Sequence, residues 1–286
     1  MRCLTLLFLC AAAQAALAQP NAPAPVDGCG EVVTISTHFG TTTRYAFAPA
    51  IGTPAQSAPI ALVMLIGGGG YINLDEQGCP RLLSRNVLAR MRPLLHDAGV
   101  VTALVDAPSD MKSDEGLGGF RIAADHANDP GKVMADLRAR TNGQVWIAGH
   151  SRGSLSAANA AARLTGPSAP DGVVLLSAMM VGDAGARKSW VAHTVTLVDL
   201  EAIKIPVLVI GHAADNCVRS PAALMNNIIA KTRGARQQVA TVTGGPFSPS
   251  RPVSVGACEP REPHDFVEQE TEAAAGVVRF LRGGNY

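Results

Sequence analysis

The sequence predicts an α/β fold with a doubly wound, mostly parallel sheet and helices on both of its faces. Two observations lead to this prediction. Continuous apolar runs of strand length recur along the chain, which is typical of parallel strands buried on both faces. Stretches with helical character separate these runs, as the crossover connections of a parallel sheet require.

The predicted elements follow in chain order. Two short β-rich runs, "EVVTIS" and "TTRYAFA", flank "THFGT" and predict an opening hairpin. Buried strands are predicted at 60–66, 100–105, 144–149, 172–177, 206–211 and 237–243. Helices are predicted at 81–96, about 121–140, 151–164, 220–232 and 265–282, with Pro221 near the start of the fourth and Gly283-Gly284 after the last.

The N-terminus has the pattern of a secretory signal peptide. Arg2 precedes the apolar run "LTLLFLCAAA", and Ala16 and Ala18 predict cleavage after residue 18. A retained anchor is the alternative, but the run is short for a membrane span. A lipoprotein is disfavoured because Leu9 precedes Cys10. We therefore expect a signal peptide at 1–18, a flexible leader at 19–30, a single domain at 31–286, and a periplasmic or secreted protein.

Composition excludes some classes of partner. The formal charge of +1, with 16% charged residues, gives no reason to expect nucleic acid or an anionic membrane surface as partner. No later stretch has the length and hydrophobicity of a membrane span, and oligomeric state cannot be read from the sequence.

Four cysteines remain after signal cleavage, so two disulfides are expected in any of three pairings, with free buried thiols as the alternative. They are Cys29, Cys79, Cys217 and Cys258.

The segment Gly149-His150-Ser151-Arg152-Gly153 carries the strongest functional signal. It is a G-x-S-x-G motif placed directly after a predicted strand and directly before a predicted helix, the context that a nucleophilic serine of this type requires. The glycines allow a sharp turn, and the helix start directs backbone N–H groups towards developing negative charge. The alternative is a serine that only caps the helix.

A nucleophilic serine needs a base and a carboxylate, expected later in the chain in the order acid, then histidine. Asp215 follows the strand in "IPVLVIGHAADNCV", and His264 precedes the last predicted helix. Asp183 is a competing acid. Asp199 is assigned to a connecting turn, and Asp265 is expected to cap the last helix.

The remaining histidines have no metal-like spacing, and no C-x-x-C pair occurs, so no metal or organic cofactor is implied. One of them, His212, lies near the predicted acid and is expected to support it. The others are expected to be structural or exposed: His38, His96, His126, His150 and His193.

Two backbone N–H donors are needed to stabilise an oxyanion. The amide of Arg152 is one candidate. The second is expected from the glycine run 67–70, where Gly69 and Gly70 are favoured over Gly67 and Gly68. A merely flexible loop is the alternative, and a phosphate-binding loop is disfavoured because no G-K-[ST] follows.

Over residues 60–282 the chain resembles the α/β-hydrolase superfamily, particularly its compact esterase-like and dienelactone-hydrolase-like branch. The resemblance rests on the glycine-rich loop, "GHSRG", the strand leading to Asp215, and His264 before the last helix. It implies an α/β-hydrolase fold, here with little or no lid because the connection from "GVVLLS" to "PVLVIG" is short. The chain departs from the superfamily in lacking the histidine of the HGGG form, and in having Asp265 where many relatives have glycine.

If the acid and the histidine meet as the resemblance implies, their loops meet too, and we expect a Cys217–Cys258 disulfide. Cys29–Cys79 then remains as the second pair. Together these features predict an exported serine hydrolase that cleaves small or polymeric esters or related acyl compounds through an acyl-enzyme. The alternatives are an acyltransferase or a peptidase on the same scaffold, or a binding protein that kept the fold. An ion pair within the protein is favoured for the Arg152 side chain, with an anionic substrate as the alternative.

Overall fold

The computed structural model describes residues 29–51, 59–245 and 251–286. The expected signal peptide, and the leader up to residue 28, lie outside the described residues. Eight strands form one sheet: β1 (Glu31–Ser36), β2 (Thr42–Ala48), β3 (Ile60–Leu65), β4 (Val100–Val105), β5 (Gln144–His150), β6 (Val173–Leu176), β7 (Val207–His212) and β8 (Gln237–Val242).

The sheet confirms the predicted fold class. Its strand order is β1-β2-β4-β3-β5-β6-β7-β8. The opening hairpin, β1 with β2, is antiparallel and pairs antiparallel with β4, and every later pair is parallel. All six residues of β4 are buried, and so are all six of β7. This burial explains why both strands read as continuous apolar runs.

Helices cover both faces of the sheet. The α-helices are α1 (Val87–Asp97), α2 (Ala124–Thr141), α3 (Gly153–Arg163), α4 (Asn226–Ile229) and α5 (Glu270–Leu281). The core on one face includes buried residues of α2 and α3, such as Val133 and Ala157. The core on the other face includes residues of α1 and α5, such as Leu88 and Phe280. Among the described residues, no helix has the length and hydrophobicity to cross a bilayer.

Three predicted helix starts are wrong by several residues. The first helix begins at Val87 rather than 81, because Asn86 caps it by accepting a hydrogen bond from the Leu88 amide. The region predicted as helix 220–232 holds only a 3-10 turn and the single turn α4. The last helix begins at Glu270 rather than 265, because Phe266 and Glu268 have φ values of 50° and 63°.

The connection between β6 and β7 is short, as predicted. This fully described stretch contains 3-10 turns and no α-helix or strand. One of these turns, Ser189–Ala192, carries Trp190 to the edge of the cavity described below.

Candidate active site

Ser151 lies in a strained turn between β5 and α3. Its φ is +53°, a value that few residues other than glycine adopt, and its amide donates to Leu176 O at 2.9 Å. Arg152, not Ser151, occupies the cap position of α3, and the serine side chain makes no capping bond. The alternative of a helix-capping serine therefore does not describe this residue.

The two glycines of the motif are required by packing. A Cβ on Gly149 would lie 2.2 Å from Gly153 O, and one on Gly153 would lie 2.0 Å from Leu65 O. Both distances are far inside van der Waals contact with backbone atoms, so neither position tolerates a side chain without movement of a strand or of α3. The glycine spacing thus follows from the close approach of β3, β5 and α3.

Asp215 and His264 form a buried hydrogen-bonded pair. Their atoms Oδ2 and Nδ1 are 3.0 Å apart, and each side chain is 1% exposed. The hydroxyl of Ser220 donates to the same Oδ2 at 3.0 Å and lies 2.8 Å from Nδ1. The other carboxylate oxygen of Asp215 accepts the Cys217 amide at 2.8 Å. These contacts fix the imidazole with Nδ1 protonated and Nε2 available as a base.

Two side chains hold the histidine loop through the backbone carbonyl of His264. The carbonyl of His264 accepts the Ser177 hydroxyl at 2.8 Å and Nε2–H of His150 at 3.0 Å. Nδ1 of His150 accepts the Asn86 side-chain amide at 2.8 Å. Burial lowers the pKa of His150 to about 3, so this ring stays neutral. This role of His150 could not be predicted, because a residue at a variable position of the G-x-S-x-G motif carries no signal about its contacts.

Asp265 does not cap the last helix as expected. Its carboxylate accepts the Val87 amide at 2.9 Å, at the start of α1, and pairs with Arg90 at 3.1 Å. Burial raises the pKa of Asp265 to about 6. This residue therefore anchors the histidine loop to the start of α1.

The competing residues lie elsewhere. Asp183 pairs with Arg219 at 3.0 Å and its side chain is 46% exposed, so it is engaged away from the histidine. Asp199 is exposed in the connecting segment, as expected. His212 is buried and accepts the Ala214 amide at 3.0 Å, which shapes the turn leading to Asp215.

Both favoured cysteine pairs are present as disulfides. Cys217–Cys258 has a Cα–Cα distance of 4.5 Å, and Cys29–Cys79 has one of 4.8 Å. The first connects the segment after Asp215 to the segment before His264. Backbone pairing supports the same junction, since the Val218 amide donates to Ser254 O at 3.2 Å.

Three potential metal-ligating atoms, from Asp215, Cys217 and His264, lie within 4.8 Å of one another. The sulfur of Cys217 is in a disulfide and supplies no thiolate. The other two groups are hydrogen-bonded to each other. The arrangement is therefore better explained as an acid–histidine pair than as a metal centre.

Ser151 and His264 line the same cavity of about 340 Å³. Nε2 of His264 is buried and has no hydrogen-bond partner among the described residues. The polar neighbour of Ser151 Oγ is Met179 Sδ, at 3.9 Å. The structure thus brings Ser151 and His264 to one cavity, with no hydrogen bond between their side chains.

The glycines that line the cavity are not the two that were expected. Gly67 and Gly68 line the cavity, and a Cβ on Gly67 would lie 2.9 Å from Ser151 Cβ. The favoured residues Gly69 and Gly70 do not line it, and the Gly70 amide is used in a turn to Gly67 O at 3.1 Å. Of the four glycines, the cavity lining therefore favours Gly67 and Gly68 over the expected Gly69 and Gly70 as neighbours of Ser151.

The side chain of Arg121 donates hydrogen bonds to the backbone at the glycine run. This fully buried guanidinium donates to Ile66 O and Gly68 O at 3.1 Å each, and to Ser156 Oγ at 2.8 Å. Among the described residues no carboxylate lies within 4.0 Å of it. Burial lowers the pKa of Arg121 to about 9. Arg121 gave no signal in the sequence, because a charged residue in a loop is usually exposed.

No protein-family model matches the chain, and no curated protein matches it. Solved structures do. It is similar to a dienelactone hydrolase from Anabaena variabilis, with 16% identity, a TM-score of 0.55, and coverage of 85% of this chain and 94% of that one. It is similar to a carboxyl esterase from Bacillus coagulans, with 12% identity, a TM-score of 0.58, and coverage of 88% and 98%. It is also similar to a puromycin hydrolase, with 14% identity and a TM-score of 0.61; 94% of this chain matches 42% of that one. At these identities the likeness concerns the fold, and the chain has the α/β-hydrolase fold.

Proposed function

We propose that the chain is an exported serine hydrolase that cleaves carboxylic esters or related acyl compounds. The observation that carries this proposal is the buried Asp215–His264 pair: Nε2 of His264 has no hydrogen-bond partner among the described residues, and His264 lines the same cavity as the strained Ser151. An acid, a base and a nucleophile in this order and on this fold are the parts of an acyl-transfer site. The names of the similar structures, which include esterases, agree with this reaction class.

The reaction has two halves. Ser151 Oγ forms a bond to the ester carbonyl carbon while His264 Nε2 takes the hydroxyl proton. The bond to the alkoxide then breaks, and the same proton passes to the leaving oxygen. Water repeats the sequence on the acyl-enzyme, which releases the carboxylic acid and restores the serine. Asp215 keeps Nδ1 protonated and stabilises the imidazolium formed in each half.

The oxyanion is stabilised by the Arg152 amide and by an amide of the Gly67–Gly68 stretch. Both segments line the cavity beside Ser151. Each such donor contributes roughly 3 kcal/mol to the transition state in measured cases. The hydrogen bonds from Arg121 to Ile66 O and Gly68 O fix the backbone of this stretch in the proposed site.

Export is proposed from the sequence of residues 1–18 and from the two disulfides, which persist in oxidising compartments. In this proposal residues 31–286 form a single catalytic domain that acts in the periplasm or outside the cell.

The test is labelling of the oxidised, mature protein with a fluorescent fluorophosphonate, which reacts with activated serines. We expect labelling of the native protein, and none of Ser151→Ala or of His264→Ala. Ser109→Ala and His193→Ala are matched controls that should label normally. A folded native protein that does not label, or a Ser151→Ala variant that does, would refute the mechanism.

A further inference from the structure

The guanidinium of Arg152 lies at the cavity beside Ser151 without a carboxylate partner. An ion pair within the protein was the favoured expectation for this side chain. Instead, its central carbon lies 3.9 Å from the ring centre of Trp190, and no carboxylate of the described residues is within 4.0 Å of it. The expectation of an ion pair is therefore wrong. The stacked ring fixes the plane of the guanidinium without neutralising its charge.

One further cationic side chain lines the cavity with Arg152. Arg219 lines the same cavity and is paired with Asp183 on the outside. Burial, together with the charge of Arg219, lowers the pKa of Arg152 to about 10. The side chain thus remains protonated at neutral pH. Keeping this partly desolvated charge costs free energy, and a bound anion would reduce that cost.

The acidic residues of the cavity do not supply that anion. Asp265 is already engaged by Arg90 and by the Val87 amide. Glu259 is exposed and makes no ion pair with Arg152. Apolar side chains, including Leu83, Met179 and Val191, make up much of the remaining lining. The cavity therefore combines an apolar wall with one uncompensated cation close to the nucleophile.

We propose that the substrate is an ester that carries a free carboxylate, and that Arg152 binds this carboxylate. The proposal rests on the serine hydrolase function proposed above. A single uncompensated guanidinium matches a single negative charge, and its planar fork fits both oxygens of a carboxylate. The apolar wall accommodates the methylene groups between the carboxylate and the scissile ester.

The experiment compares two pairs of esters of equal shape. Monomethyl glutarate carries its carboxylate on the acyl side, and the acetate ester of γ-hydroxybutyrate carries it on the alcohol side. Each is paired with the neutral methyl ketone that replaces the carboxylate. The readout is the ratio of kcat/KM for the charged ester to that for its neutral partner. The ratio is taken within each variant, because the Arg152 amide also belongs to the proposed oxyanion site.

For at least one pair we expect a ratio of about ten or more in the native protein, since hydrogen bonds to charged groups are strong. In Arg152→Met the ratio should fall to about one, and Arg152→Lys should keep part of it because the charge remains. Arg187→Met removes the same charge from an exposed residue outside the cavity and should leave the ratio unchanged.

A native ratio near one for both pairs would overturn the proposal, as would a ratio that survives in Arg152→Met. Equilibrium binding to Ser151→Ala separates this failure from that of the proposed function. If no ester is hydrolysed but this variant binds the charged ester more tightly than the neutral one, the hydrolase mechanism fails and the anion site stands. If both esters of each pair are hydrolysed with equal kcat/KM, the hydrolase function stands and the anion site fails.

Discussion

The two disulfides provide matched perturbations of this molecule. Cys217–Cys258 joins the acid loop to the histidine loop, whereas Cys29–Cys79 does not line the cavity. We predict that Cys217→Ala/Cys258→Ala lowers both stability and ester hydrolysis. Cys29→Ala/Cys79→Ala should lower stability alone.

The expected losses of stability are nearly equal. The bridges span 41 and 50 residues, and the chain-entropy model depends on the logarithm of that length. Each bridge therefore contributes about 4 kcal/mol to the free energy of unfolding in that model. A difference in activity between the variants thus cannot come from a difference in global stability.

The expected loss of activity is moderate. Without Cys217–Cys258, the two segments are still held by backbone bonds between Val218 and Ser254 and between Ser254 and Asn216, at 3.2 Å and 3.1 Å. The Asp215–His264 pair then forms for part of the time rather than not at all. A tenfold fall in its occupancy raises the barrier by about 1.4 kcal/mol and lowers kcat about tenfold.

The assay combines urea unfolding with steady-state hydrolysis of a nitrophenyl ester, both on oxidised protein at neutral pH. We expect similar shifts in the unfolding free energy, a fall in kcat of about tenfold for Cys217→Ala/Cys258→Ala, and a change of less than about twofold for the other variant. An unchanged kcat in the first variant, or equal falls in both, would refute the reasoning that this bridge positions the acid and the histidine.

Three further predictions concern buried polar residues. Arg121→Met should lower kcat by loosening the glycine run. The relief of a buried charge offsets part of the cost of three lost hydrogen bonds, so the unfolding free energy should fall by less than the hydrogen bonds alone would imply. Arg92→Met, which removes a buried guanidinium that does not line the cavity, should leave kcat unchanged, and equal effects would contradict the assignment. Ser220→Ala removes a hydroxyl shared by the acid and His264 and should lower kcat about three- to tenfold in stopped assays, whereas an unchanged kcat would show that the direct bond suffices. Burial lowers the pKa of His126 to about 3, so its contribution to stability is present above the unfolded pKa of about 6.5 and is lost as the pH falls towards 3. His126→Gln should therefore reduce the loss of unfolding free energy between about pH 7.5 and about pH 5 by about 2 kcal/mol, and an identical pH dependence in both proteins would count against a buried neutral ring.

The strands could be predicted because their signal is local. Every residue of Val100–Val105 is buried on one face or the other, so the run is apolar apart from Thr102. The start of α5 could not be predicted in this way. The helical pattern extends back to residue 265, but the Asp265 carboxylate bonds to the Val87 amide, and Phe266 is fully buried with φ +50°. Contacts with a distant helix outweigh local propensity there.

The same division holds within the site. The sequence by itself determined the order of Ser151, Asp215 and His264 and the glycines around the serine, because a sharp turn between strand and helix restricts which residues fit. Only the tertiary structure decided that Gly67 and Gly68 line the cavity, that His150 holds the His264 carbonyl, and that no carboxylate of the described residues pairs with the Arg152 guanidinium. These are contacts between residues far apart in the chain or choices among near-equivalent neighbours. They depend on how the sheet brings loop ends together, which no local pattern of residues encodes.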